Sequence, residues 1–132
     1  MSVYVDTSAF LAAFTADDER HERAKRRFEE FARQNESLIC SNYVLVETIS
    51  LIQRRFGFDA VRSFHENVCP VVRIHWVDEA THQAGMGALL AAARRQVSLV
   101  DFVSFEVMRH LGVSRVFCYD PHFGEQGFEV VD

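Results

Sequence analysis

Four acidic residues stand where carboxylate chemistry is done in proteins built of alternating strands and helices. Asp6 directly follows the β-rich run Val3-Tyr4-Val5, and Asp120 directly follows Val116-Phe117-Cys118-Tyr119. Asp101 falls in the first turn of the helical segment that opens after Ser98-Leu99-Val100. Glu47 is the one charge in Tyr43–Ile52, a stretch apolar nearly all round, the pattern of a buried helix. A buried carboxylate must be paired, or else take up a proton. The helical neighbours of Glu47 (Tyr43, Val44, Ser50 and Leu51) include no cation, so its partner is either an Arg from elsewhere in the fold or a metal ion. The three aspartates also have simpler readings. Asp6 can cap the helix containing Ala9–Phe14, Asp101 can close a capping box with Ser98, and Asp120 can cap a short turn that begins at Pro121. If all four converge, their mutual repulsion calls for a cation, and an all-oxygen ligand set favours Mg²⁺ or Mn²⁺ over zinc. Such an ion keeps part of its water shell and accepts phosphate oxygens, which suits phosphodiester hydrolysis.

The elements that must position these residues alternate. Strands are predicted at Ser2–Val5, Ser37–Cys40, Val71–His75, Arg115–Tyr119 and Glu129–Val131. Helices are predicted at Ser8–Phe14, Asp18–Gln34, Asn42–Phe56 behind the cap Ser41, Asp59–Val68 capped by Asp59, Glu79–Arg94, and Val100–Leu111 ending at Gly112. The alternation predicts an α/β fold, a parallel sheet with helices on both faces. In such a sheet the working groups lie at the carboxyl ends of the strands.

The chain of 132 residues and 15.2 kDa suits one domain, residues 1–132, with 48% hydrophobic and 25% charged residues. A formal net charge of −5 excludes binding of nucleic acid through bulk positive charge, although a bound metal could still bring phosphate to an acidic site. The longest uncharged stretch, Ala80–Ala93, is too short for a bilayer span, and the N-terminal residues show no signal-peptide pattern. Cys40, Cys69 and Cys118 form no metal-binding spacing and read as buried reduced thiols of a cytoplasmic protein.

The blocks Val5-Asp6-Thr7-Ser8-Ala9, Val44-Leu45-Val46-Glu47, Ser98-Leu99-Val100-Asp101-Phe102-Val103-Ser104-Phe105 and Tyr119-Asp120-Pro121-His122-Phe123, followed by Gly127-Phe128, resemble the PIN-domain ribonucleases. Among these they are most similar to the VapC-type toxins of toxin–antitoxin pairs. The order and spacing of the blocks match over essentially the whole chain. The resemblance implies a single domain with a five-stranded parallel sheet flanked by helices on both faces. It implies that Asp6, Glu47, Asp101 and Asp120 bind one or two Mg²⁺ or Mn²⁺ ions and position a water to attack an RNA phosphodiester, leaving a 5′-phosphate and a 3′-hydroxyl. It further implies a structured tRNA or rRNA target, a cognate small antitoxin, and a homodimer. Ser8 sits at the family's supporting hydroxyl. Ser104, one turn past Asp101, is a candidate to orient that carboxylate or a metal-bound water.

Arg94 and Arg95, ahead of Asp101, are candidates for phosphate contact. The cluster Arg20, Arg23, Lys25, Arg26 and Arg27 reads either as a solvated helix face with Glu19–Arg23 and Glu22–Arg26 pairs or as a surface for RNA or an acidic partner. His122 is a surface or structural residue, a ligand or a proton shuttle. Phe10, Phe14, Phe28 and Phe31 read chiefly as core, near where the resemblance puts a dimer or antitoxin surface. Two alternatives to the toxin are an RNA-processing nuclease with the same fold and a non-catalytic Mg²⁺-binding module. A receiver-like module would need a lysine near the acids, and Lys25 is the only lysine.

Overall fold

The computed structural model describes residues 1–132. Five parallel strands, β1 (Ser2–Val5), β2 (Ser37–Ser41), β3 (Val72–His75), β4 (Arg115–Phe117) and β5 (Glu129–Val131), form one sheet in the order β3-β2-β1-β4-β5. Seven helices connect or flank them: α1 (Thr7–Phe14), α2 (His21–Arg33), α3 (Asn42–Phe56), α4 (Phe58–Asn67), α5 (Glu79–Ala92), α6 (Leu99–Leu111) and α7 (His122–Glu125). None is long and apolar enough to cross a membrane. The chain winds outward from β1 through β2 to β3, then returns to β1's other side for β4 and β5. The order therefore reverses between β1 and β4, where a crevice opens at the strands' carboxyl ends.

Burial explains the sequence of the central strand. Val3, Tyr4 and Val5 are wholly buried, as expected of a strand covered on both faces. Phe31, Phe64, Phe105, Phe117 and Phe123 fill the layers between sheet and helices. Helix α5 meets α6, which carries Asp101, closely: a Cβ added at Gly85 of α5 would stand 2.6 Å from Val103 Cγ2 of α6.

Local hydrogen bonding moves several predicted boundaries. The helix expected from Asp18 begins at His21, because the Asp18 carboxylate accepts the Arg20 N–H (2.7 Å) in a preceding turn. Helix α4 is preceded by Gly57 at positive φ, so Asp59 lies in its first turn and does not cap it. A 3₁₀ turn at Cys69–Val71, which contains Pro70, delays β3 to Val72. Helix α5 stops when Ala93 turns left-handed, leaving Arg94 in the following loop. The three cysteines are free, but Cys69 is only half-buried.

Candidate active site

Asp6 leaves β1 at the switch point and caps α1. Its Oδ2 accepts the Ser8 N–H (3.2 Å) and the Ser8 hydroxyl (2.7 Å). Ser8 Oγ in turn accepts the Tyr119 N–H (3.0 Å), which ties the end of β4 to the start of α1. Asp101 lies in a capping box: Ser98 N–H donates to Asp101 Oδ2 (2.9 Å) and Asp101 N–H donates to Ser98 Oγ (3.2 Å). Asp120 Oδ1 accepts the His122 N–H (2.8 Å). The capping readings of the three aspartates are thus borne out, and none precludes a site, because each cap engages one carboxylate oxygen and leaves the other without a protein partner.

Two further contacts draw α3 and α6 to this crevice. Thr48 Oγ1 donates to Thr7 Oγ1 (3.2 Å), both buried, stitching the residue after Glu47 to the residue after Asp6. The Tyr4 and Ser104 hydroxyls share a hydrogen bond of 2.8 Å between the central strand and the middle of α6. Ser104 is therefore engaged with Tyr4 and makes no hydrogen bond to Asp101, so of its two expected roles it does not fill that of orienting the carboxylate. Thr7, Thr48 and Tyr4 bear on the site yet show no local sequence signal, since their partners are 41 and 100 positions away.

Glu47 departs from expectation in its exposure. Helix α3 is not buried all round: Val46 is 63% exposed, and Glu47 is half-buried at an open cavity of about 320 Å³ shared with Asn42, Tyr43, Val46 and Val100. Tyr43 hydrogen-bonds His82 of α5 at this cavity's edge. No Arg pairs with Glu47, so the salt-bridge explanation fails. Asp6 and Asp101 likewise have no cationic partner.

The acids act on one another's charge. Burial, reinforced by the negative charges of Asp101 and Asp120, pushes the Asp6 carboxyl up to about 7 against the bonds from Ser8. Burial also raises Asp101, with Asp120 and Glu47 adding repulsion. The Cys118 thiol is pushed up to about 12 by burial first and by Asp6 next. His122 is raised, first by its hydrogen bond to Glu125 (2.9 Å) and also by Asp120, whose carboxylate lies 3.5 Å from Nε2. No three His, Cys, Asp or Glu side chains are grouped closely enough to hold a metal ion by themselves. A hydrated divalent ion needs no such group, because Mg²⁺ retains several waters and takes only one or two carboxylates directly. Two buried acids, Asp6 and Asp101, that are held high and pair with no lysine or arginine fit such an ion.

The remaining candidates are dispersed. Arg94 is exposed and pairs with Glu125 (3.4 Å), which also holds His122; Arg95 is exposed and unpaired. Lys25 borders an apolar groove with Phe10, Phe14, Phe28 and Phe64, away from the acids, which removes the lysine a receiver-like site would need. Neither predicted pair, Glu19–Arg23 or Glu22–Arg26, forms; Arg20 pairs with Asp18 and Arg23 with Asp132, and both guanidiniums rest against Tyr119.

The profile of the PIN domain matches residues 3–129. The chain belongs to the PIN-domain family. The 23S rRNA-specific endonuclease VapC20 of Mycobacterium tuberculosis is 35% identical over 127 residues, covering 96% of this chain and 95% of that protein. Its crystal structure, described as that of a sarcin–ricin loop cleaving toxin, superposes with a TM-score of 0.84 at 34% identity over 96% of this PIN domain and 95% of the other chain. VapBC2 from Rickettsia felis, bound to a promoter DNA fragment, shares the fold at TM-score 0.74 and 11% identity, over 99% of this chain and 98% of that one. FitAcB from Neisseria gonorrhoeae does so at 0.71 and 13%, over 100% and 97%. The expected fold, a single α/β PIN domain around a five-stranded parallel sheet, is what the chain adopts.

Proposed function

We propose that this PIN domain is an endoribonuclease toxin that uses Asp6, Glu47, Asp101 and Asp120 to hold Mg²⁺ or Mn²⁺ and cleaves ribosomal RNA, stopping translation. What supports this site is that Asp6 and Asp101 are buried without a cationic partner and that burial and neighbouring acid charge hold both carboxyls high, Asp6 at about 7. The likeness to VapC20 supports 23S rRNA, and its sarcin–ricin loop, as the target.

A divalent ion, when bound, supplies Lewis-acid polarisation of the phosphate and of a water. The protein's part is to aim its ligands. Ser8 fixes one oxygen of Asp6, Ser98 one oxygen of Asp101, and the His122 N–H one oxygen of Asp120, so each presents its remaining oxygen in a set direction. Glu47 lines the open cavity together with Val100, the residue before Asp101. A water oxygen bonds to phosphorus as the P–O3′ bond breaks; the water gives up a proton to solvent and the leaving 3′-oxygen takes one, giving a 3′-hydroxyl and a 5′-phosphate.

The same reading includes a small antitoxin. The groove of about 340 Å³ between α1, α2 and α4, lined by Phe10, Phe14, Phe28 and Phe64, suits an apolar helix face. It also includes a homodimer, for which exposed Val46, Trp76 and Leu90 supply apolar surface outside that groove. The test is cleavage of a hairpin bearing the 23S sarcin–ricin sequence, and of total RNA, by purified protein. Cleavage in Mg²⁺ that disappears with chelator and in Asp6→Asn is expected. Cleavage unchanged in chelator would reject the metal-dependent reading.

A further inference from the structure

A third cavity opens beside Asp120. Its volume is about 350 Å³, and Arg20, Arg23, Tyr119, Asp120, Gly124 and Asp132 line it. The size falls in the range of small-ligand pockets, roughly 300–1,000 Å³. Both guanidinium groups lie over the Tyr119 ring, with their carbons 4.9 Å and 5.2 Å from its centroid. The platform under them is fixed. Tyr119 N–H donates to Ser8 Oγ (3.0 Å), and its ring meets Phe117 edge-on at 5.8 Å. The same Ser8 hydroxyl holds Asp6. One hydroxyl therefore joins the arginine platform to the acid set.

Resting on the nuclease reading, we infer that Arg20 and Arg23, stacked on Tyr119, form a subsite for a phosphate of the RNA strand flanking the scissile phosphodiester. The pocket and the acids share Asp120, so a strand whose phosphate lies at the acids continues across the pocket. The two arginines bring to that path the positive charge that the acid set lacks. A planar guanidinium grips phosphate with two parallel N–H bonds, and stacking on a ring reduces the freedom lost in doing so. The present partners leave room for that contact. Arg20 holds Asp18 with Nε (3.3 Å), Nη2 (3.5 Å) and its backbone N–H (2.7 Å), which engages one edge of the guanidinium and leaves the Nη1 edge for a phosphate. Arg23 is held only by Asp132 at 3.6 Å, an ion pair more than half exposed on both sides, which an RNA phosphate displaces readily.

The test compares the wild-type chain with the double variants Arg20→Ala/Arg23→Ala and Arg20→Lys/Arg23→Lys. Binding of a mixed-sequence single-stranded RNA oligonucleotide is followed in chelator across a salt series. Steady-state cleavage of the sarcin–ricin hairpin is followed in Mg²⁺. The alanine pair is expected to flatten the slope of log affinity against log salt by about 0.7 for each phosphate it no longer neutralises. It is also expected to raise KM about tenfold, with kcat nearly unchanged. The lysine pair is expected to keep most of the slope, because the charge remains, and still to raise KM, because the fork is gone. Should the alanine pair fail to fold, as its melting curve would show, the lysine pair decides through KM. A folded alanine pair with wild-type slope and wild-type KM overturns the subsite while leaving the nuclease intact. So does a variant that binds RNA normally and loses only its affinity for the purified antitoxin, since the surface then serves the protein partner. A wild-type chain that neither binds nor cleaves RNA overturns the nuclease reading and the subsite together.

Discussion

Asp78 and Asp101 each accept a backbone N–H in the first turn of adjacent helices, Asp78 as the cap and Asp101 as the third residue of a capping box, and end in opposite electrostatic states. Asp78 caps α5 by accepting the Thr81 N–H (2.8 Å) in full solvent, and the bonds from Thr81 hold its carboxyl below the usual range. Asp101 opens α6 in a capping box, yet burial and the charges of Asp120 and Glu47 hold it above that range. Asp78 also stands three residues beyond the end of β3, as Asp120 stands three beyond the end of β4. What separates them is strand order. Strand β3 is at the sheet's edge, where a loop opens to water; β1 and β4 are neighbours at the reversal, where loops leave in opposite directions around a crevice. A cap is therefore no evidence against a functional role, and a strand-end acid is no evidence for one. Burial beside other acids is what distinguishes the site.

The sharpest way to break the comparison is to neutralise each member without changing its shape. Asn keeps an oxygen that accepts the capping N–H, so both helices should persist in Asp101→Asn and Asp78→Asn. Asp101→Asn is expected to lower RNA cleavage in Mg²⁺ on the order of 10²–10³-fold, the usual cost of removing one charge-stabilising group from such a site. Asp78→Asn should leave the rate unchanged. Equal losses in the two, measured on folded protein, would mean that the two caps are alike.

The sequence made strand-end acids visible because parallel sheets place them predictably, and the order of all five strands and the six longer helices could be read from apolar runs and caps. It misjudged Glu47 because an apolar helix was taken as buried, whereas Val46 faces an open cavity. It presented cap and site as competing readings, although a carboxylate has two oxygens and the caps use one. It missed Thr7–Thr48 and Tyr4–Ser104, which join distant parts of the chain, and it spread Arg20 and Arg23 along a solvated face when Tyr119 draws them in. Local pattern reports which face is apolar; it carries no record of which polar groups meet across a core.

The next largest effect is a pH dependence of opposite sign in the two regions. Asp6 has an ordinary value of 3.8 and a folded value of about 7, so the folded state holds a proton that the unfolded chain has released. Its contribution is present at low pH and is lost as pH rises from 3.8 through about 7, on the order of 4 kcal/mol at most. Asp101 acts in the same direction. The lowered Asp78 is the reverse: its contribution holds above 3.8 and is lost only as pH falls below it. The metal-free chain should therefore lose melting temperature between about pH 5 and pH 8. His122, whose folded value is also raised, adds to the upper part of that decline. Asp6→Asn is expected to flatten the profile, Asp78→Asn to leave it alone, and Mg²⁺ to recover stability at the alkaline end. A wild-type profile that rises over this window would contradict the burial of Asp6 as an uncompensated acid.

The smallest expected effect asks whether the two regions are mechanically coupled. Helix α5, capped by Asp78, touches α6 at Gly85, where an added Cβ would meet Val103 Cγ2 at 2.6 Å and the Val103 backbone nitrogen at 3.3 Å. Valine is stiff about χ1, so the methyl cannot swing far, and the backbone behind it limits retreat. Gly85→Ala gains about 1 kcal/mol of helix propensity in α5 and loses about 1–3 kcal/mol to overpacking. The expected net is a destabilisation of about 1 kcal/mol, or a melting temperature lower by about 4 °C. Val103 is two residues past Asp101, so the displacement passes to the acid set, and a few-fold loss of cleavage should accompany it. Adding Val103→Ala removes the obstructing methyl, so the cost of Gly85→Ala should shrink in that background. If Gly85→Ala instead stabilises the chain by its full propensity gain in both backgrounds, the helices are not in that contact, and Asp78's helix has no hold on Asp101.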